Sequence, residues 1–321
     1  MSQKIAKLYI IAMAFVAALA SCSSDDNGGG GNGGNATSNN TNANTVTANM
    51  PKEITRIEFP KVSGGDNNLV VVHKVSGFGK DANGKTDGVN YAIEWDCQKK
   101  AQRWTCYRMY ASNSTSNWKR DNWKSTSWGG DPFQEDTSIP STYRTTLADY
   151  RGSGYDRGHI CPSADRLYSK DVNEQTFYMS NMHPQINSFN TGVWATMENQ
   201  LRTWNTNNFR DTLYVVKGGT IDTNKNQVST YTKSGIIVPK YFFMAIVCKK
   251  GSNYKAIAFW AEHTKSTSKE KLTPHMISVD ELEQKTGIDF FCNMPDDIEN
   301  KIEAVKPNTN AVIEAWGLTG K

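Results

Sequence analysis

Long hydrophobic runs are what this 321-residue chain has least of. The one continuous apolar stretch, Leu8 to Ala20, is shorter than the ~20 residues that cross a bilayer. No CxxC pair occurs, which excludes the zinc sites built on that spacing. No helix-turn-helix, zinc-finger or RNP signature is present either, so the common devices for reading base sequence are missing. Nothing repeats at a fixed period, which excludes solenoids and propellers. The formal net charge is only +4, too small to point to a partner by itself. Histidine is scarce, with five in all: His73, His159, His183, His263 and His275.

What is present begins with Lys4 and Lys7 ahead of the apolar run, the layout of an export signal. Leu19-Ala20-Ser21-Cys22 resembles a bacterial lipoprotein box, which implies cleavage after residue 21 and lipidation of Cys22. An ordinary signal peptide with a stray cysteine is the alternative. From Ser23 to Met50 the chain is nearly all Ser, Asp, Asn, Gly and Thr, a composition that cannot bury enough surface to fold. The expectation is a signal peptide over 1–21, a lipidated flexible tether over 22–50 and one domain over 51–321. The chain would be exported and held by its lipid in the outer membrane, with Asp25 and Asp26 suggesting the outer face. With Cys22 lipidated, Cys97, Cys106, Cys161, Cys248 and Cys292 remain. In an oxidising compartment Cys97 and Cys106 are the easiest pair to close across a hairpin.

Six apolar, β-branched runs bounded by turn residues read as strands: 68–75, 88–96, 103–111, 211–219, 241–249 and 254–262. Trp194, Met197, Leu201 and Trp204 lie on one helical stripe within 190–204. Ser278 with Glu281 makes a capping-box pattern for a helix ending at Gly287, and Pro295 opens a third helix. Strands in runs with helices grouped elsewhere predict an α+β fold.

Chemistry concentrates at residues 154–163, "GYDRGHICPS". Asp156 and Arg157 precede His159, and Asn181, Asn190 and Glu198 follow among apolar neighbours. At 3.6 residues per turn Glu198 lies ~80° around the helix from Asn190, within reach of a shared ion through water. A neutral imidazole as base, hard oxygen ligands for Mg²⁺ and arginine for phosphoryl oxygens suit phosphodiester hydrolysis. Blander roles also fit: Asn190 as an N-cap, Glu198 as a solvated helix residue, Asp156 and Arg157 as a surface ion pair.

Tyr155-Asp156-Arg157-Gly158-His159, Pro162, Ala164, Asp165, Ser180-Asn181, Pro184-Gln185, Asn190, Gly192, Trp194 and Glu198 together resemble the DRGH-motif non-specific DNA/RNA endonucleases of the ββα-metal (His-Me finger) group. The likeness spans residues 88 to 305. It implies a central, mostly antiparallel sheet flanked by helices, and a Mg²⁺-dependent endonuclease, with Mn²⁺ as a substitute. DNA and RNA would be cut without sequence preference, leaving 5′-phosphate and 3′-hydroxyl ends.

Residue by residue, the resemblance makes His159 the general base, Asn190 the direct metal ligand and Glu198 a holder of the ion's waters. Asn181 would support His159 or the scissile phosphate, and Arg157 and Asp156 would shape the substrate loop. An upstream arginine on the phosphate is Arg120 or Arg144, with Arg120 fitting the segment order better. Cys161 and Cys292 depart from the pattern, standing where a small or aliphatic residue and a proline are expected. Between 99 and 124, basic residues alternate with Trp104, Tyr107, Tyr110, Trp118 and Trp123. They suit either a nucleic-acid backbone with stacked bases or core aromatics with solvated lysines. The alternative to an enzyme is a catalytically silent nucleic-acid-binding lipoprotein. A silent binder needs none of His159, Asn190 and Glu198.

Overall fold

The computed structural model describes residues 39–80, 86, 88–125 and 131–320. Its strands are Asn68–Lys74 (β1), Val89–Asp96 (β2), Ala101–Tyr110 (β3), Asp156–His159 (β4), Met182–Gln185 (β5), Thr212–Gly219 (β6), Val228–Tyr231 (β7), Ile237–Pro239 (β8), Tyr241–Lys250 (β9), Asn253–Glu262 (β10) and Met276–Ile277 (β11). Its α-helices are Leu147–Tyr150 (α1), Lys170–Gln175 (α2), Asn187–Phe189 (α3), Ala195–Trp204 (α4), Val279–Thr286 (α5), Asp296–Glu303 (α6) and Asn310–Ala315 (α7). Seven strands form one antiparallel sheet in the order β1-β2-β3-β6-β9-β10-β11. All six predicted strands lie in it.

Side chains alternate across a strand, and here both faces are covered. Ile93, Met109, Val215 and Met244 face one core, into which α4 inserts Trp194's neighbours Met197, Leu201 and Trp204. Ala92, Trp104, Val216 and Ala245 face the other, which is closed by Val279 and Leu282 of α5 and Ile302 of α6. Helix, sheet and helix make three layers, the α+β arrangement that the sequence predicts.

The predicted caps of α5 appear as read: Ser278 Oγ accepts from the Glu281 N–H, and Gly287 ends the helix at φ 73°. Pro295 lies one residue before α6 rather than inside it.

Two expectations change. The tether does not run to residue 50, because Asn44 is buried and its Nδ2 donates to the carbonyls of Ile54 (3.0 Å) and Pro60 (2.9 Å). The Asn44 N–H donates to Asn293 Oδ1 and the Thr41 N–H to Asp296. A composition with no core of its own is held here by side-chain hydrogen bonds to a core built elsewhere.

Cys97 and Cys106 do not pair; the five described cysteines are all free and buried. Cys106 stands opposite Ala92, and the two thiols face different cores, so no disulfide geometry exists between them. Cys22 and the expected signal lie outside the described residues. Among the described residues no helix is long and apolar enough to cross a membrane.

Candidate active site

The "DRGH" segment is itself a strand, β4, paired antiparallel with β5 so that Gly158 faces His183 and His159 faces Met182. Gly158 is required by close approach: a Cβ there would sit 2.2 Å from Cδ of the buried Gln185. The chain leaves β5 directly into α3, a π-helical turn at Asn190–Trp194 and then α4. Strand β4 thus carries Asp156, Arg157 and His159, and the helical segment after β5 carries Asn190 and Glu198. His263 fixes the corner: its Nε2 accepts from the Ile186 N–H (2.7 Å), so Nδ1 carries the proton and donates to the Pro239 carbonyl (2.9 Å).

His159 is half-buried, with a covered Nε2 that has no hydrogen-bond partner. Its ring packs against Phe133 and Phe177. Burial first, then the charges of Arg120, Lys217 and Arg157, lower its pKa to about 3, which keeps the imidazole neutral. Arg120 lies over Phe177 at 5.4 Å and Arg157 over Phe133 at 3.7 Å, so the two aromatic rings that hold His159 also carry a guanidinium each. Arg157 Nη1 also reaches the exposed carboxylate of Asp131 at 3.1 Å.

Asp156 accepts at Oδ2 from Asn187 Nδ2 and Asn190 Nδ2, both at 2.9 Å. A carboxylate accepts only from the NH₂ of an amide, so this bond sets the Asn190 side chain with Oδ1 turned away from Asp156. Asn190 borders an open groove lined also by Asp131, Phe133, Tyr155, Asp156 and Arg157. Gly192, with φ −96° and ψ −117°, breaks the helix after Asn190. The predicted unbroken helix from 190 is therefore corrected: the ~80° separation assumed regular 3.6-residue turns. The kink is held by Ser266, whose Oγ accepts from the Val193 N–H and would meet a Gly192 Cβ at 2.4 Å.

Glu198 is mostly buried rather than a freely solvated helix residue. Its Oε1 accepts from Lys217 Nζ at 2.9 Å, and that lysine is wholly buried beneath the Trp194 ring. Burial raises the Glu198 pKa, and Lys217 pulls it back. Beside it Asp165 accepts from Arg202 (2.8 Å) and from the Tyr107 hydroxyl (2.9 Å).

The structure thus brings His159, Arg120, Arg157, Asp156, Asn190 and Glu198 to one end of the ββα unit. Asn181 is elsewhere in role. It is fully buried and reaches neither the imidazole nor the groove; its Oδ1 accepts from the Cys161 N–H (2.9 Å) and its Nδ2 donates to the Cys161 carbonyl (2.8 Å). It clamps the backbone that follows His159. Arg144 serves the carbonyls of Ile139 and Thr137 and Glu135, apart from the site.

Burial pushes the Cys161 thiol up to about 12, so it is a protonated core residue. The basic and aromatic stretch is largely structural: Trp104, Tyr107 and Trp123 are buried, Lys99 and Arg103 pair with Asp222, and Arg108 pairs with Glu58. Sequence reasoning missed Lys217, whose only signal is a lysine inside the apolar run "LYVVKGG". It also missed Arg202, one turn after Glu198.

A two-stranded ribbon running into a kinked helix, with histidine on the first strand and asparagine and glutamate on the helix, defines a ββα nuclease fold. A solved chain from the EndoG/EndoGI complex superposes with a TM-score of 0.58 at 22% identity, covering 78% of this chain and 95% of that one. The chain belongs to the DNA/RNA non-specific endonuclease family, whose model matches residues 74–297.

Nuclease C1 of Cunninghamella echinulata var. echinulata is 32% identical over 212 residues, 63% of this chain and 80% of its own length. A nuclease of Nostoc sp. is 30% identical over 228 residues, 68% and 77% respectively. The human mitochondrial nuclease EXOG is 28% identical over 213 residues, 63% and 55%. The chain is a hydrolytic nuclease.

Proposed function

We propose that this nuclease cuts DNA and RNA internally and without sequence preference, using His159 as general base and Mg²⁺ as cofactor. The observation that carries the reading is the neutral imidazole with an unpartnered Nε2 between two aromatic-borne guanidiniums. His159 takes a proton from water as the water oxygen attacks phosphorus. The bond from phosphorus to the 3′ oxygen breaks, and that oxygen is protonated from solvent, leaving a 5′-phosphate and a 3′-hydroxyl. Arg120 and Arg157 hold the phosphoryl oxygens, with the Arg157–Asp131 contact opening to admit them. A phosphodiester between the arginines cancels part of the cationic field on His159, so the base gains proton affinity once substrate is bound.

The donor set fits a hard cation. Asn190 presents an amide oxygen set by Asp156, Glu198 adds a carboxylate, and the neighbouring thiol of Cys161 stays protonated. Asn190 would hold Mg²⁺ and Glu198 its waters; when bound, the ion supplies positive charge against the developing charge on the phosphate. The test is nicking of supercoiled plasmid and digestion of RNA by the full chain. Cleavage of both in Mg²⁺, abolished by EDTA and by Asn190→Ala, is expected. Cleavage unaffected by EDTA contradicts the metal assignment, and Mn²⁺ is the first substitute to try.

We also read Cys22 as lipidated, which would tether the domain to the outer membrane of the cell envelope; the support is Leu19-Ala20-Ser21-Cys22 after a charged and apolar leader. Incorporation of radiolabelled fatty acid, lost in Cys22→Ala, tests it, and labelling that persists in that variant rejects it.

A further inference from the structure

The sheet face opposite α4 carries a second group of acids that the nuclease reaction does not use. Asp280 and Glu283 lie one turn apart on α5, and Glu303 is the last residue of α6. One carboxylate oxygen from each lies within 4.8 Å of the other two. Glu303 is only 4% exposed, and its buried Oε1 has no hydrogen-bond partner. No lysine, arginine or histidine pairs with any of the three among the described residues; Lys285, on the same helix, pairs with Glu281 instead. Glu283 keeps one oxygen on the Phe290 N–H at 2.7 Å.

This is a costly arrangement without a counter-ion. A buried carboxylate at a helix C-terminus faces the negative end of the helix dipole as well as its acidic neighbours. Burial, and then Glu283, Glu299, Asp280 and Asp289, push the Glu303 carboxyl up to about 10. Burial likewise raises Glu283 to about 7. Calcium takes oxygen ligands at about 2.3–2.6 Å, so oxygens around one ion stand up to about 5 Å apart, which matches the spacing here. Asp280 and Glu283 are only partly buried, which leaves an entry path and room for waters.

We propose that Asp280, Glu283 and Glu303 form a structural Ca²⁺ site that clamps α6 to α5, on the other side of the sheet from the catalytic residues. Ca²⁺ binding there would displace protons from the acids, so binding strengthens as pH rises.

The test uses the full chain, stripped with EDTA and carrying Asn190→Ala to disable the catalytic ligand. Equilibrium dialysis against radioactive Ca²⁺ at alkaline pH counts bound ions, and thermal melting reads their effect. The expected result is one Ca²⁺ per chain with a raised melting temperature, both lost on adding Glu303→Gln or Asp280→Asn. Calcium-free Glu303→Gln should melt no lower than its parent, because the amide, like the protonated Glu303 carboxyl, places no charge among the acids. Should Glu303→Gln fail to fold, the more exposed Asp280→Asn decides. Absence of bound Ca²⁺ in Asn190→Ala, or its retention in either folded variant, overturns the proposal.

Discussion

At the scale of single residues, the site is governed by charges placed where water cannot screen them. His159 must be neutral to accept a proton, so kcat/KM rises with pH through its free-enzyme pKa. Burial and three cations depress that pKa far below the ordinary 6.5. The acid limb of the kcat/KM profile should therefore lie below pH 6.5, and Arg120→Met should move it upward because it removes the largest cationic contribution. A limb that stays fixed in Arg120→Met would place that arginine too far away to matter.

The same poor screening governs Lys217 and Glu198. Lys217→Met leaves the Glu198 carboxylate without its buried partner and should cost about 3 kcal/mol in urea unfolding. Adding Glu198→Gln should restore most of that stability without restoring activity. If the double variant is no more stable than the single, the pair is not coupled.

At the scale of elements, β4, β5 and α4 form a frame whose close approaches tolerate little added volume. Gly158→Ala drives a methyl group into Gln185 and pushes β4 from β5, which shifts His159 relative to Asn190. A loss of about 1–3 kcal/mol is expected from such overpacking, together with a fall in kcat. Gln185→Ala in the same chain should recover both, since the three atoms nearest to an added Cβ belong to that one side chain. Failure of the rescue, read by melting and plasmid cleavage, would put the constraint on the backbone instead.

The kink at Gly192 belongs to this scale too. The apolar stripe of Trp194, Met197, Leu201 and Trp204 begins only after it, so the stripe carries no signal of the break. Ser266, a residue far along the chain, holds the kinked turn through the Val193 N–H, a contact no local pattern reveals.

At the scale of the whole molecule, the six long strands were legible because the sheet is covered on both faces, which turns each into a nearly continuous apolar run. β4 and β5 were not legible as strands: each has only four residues, and polar side chains interrupt any apolar pattern in them, although all of β5 is buried. Asn190 and Glu198 could be proposed from the spacing after His159, and Asp156 and Arg157 from the segment just before it. Their partners could not, because Lys217 is nineteen residues from Glu198 and Asp131 is twenty-six from Arg157. Asn181 looked like a site residue by position and is instead a backbone clamp, a distinction that only burial reveals. The tether was overextended for the converse reason, since composition reports whether a segment can fold alone and not whether another core will hold it.

The central claim is that His159 performs the proton transfer in an otherwise intact nuclease. The most direct measurement is single-turnover cleavage of supercoiled plasmid in Mg²⁺ by the full chain and by His159→Ala, with matched melting curves and plasmid affinity. The account predicts a rate lower by about 10²–10⁴-fold with binding and melting little changed. Cleavage by His159→Ala at the wild-type rate would contradict it.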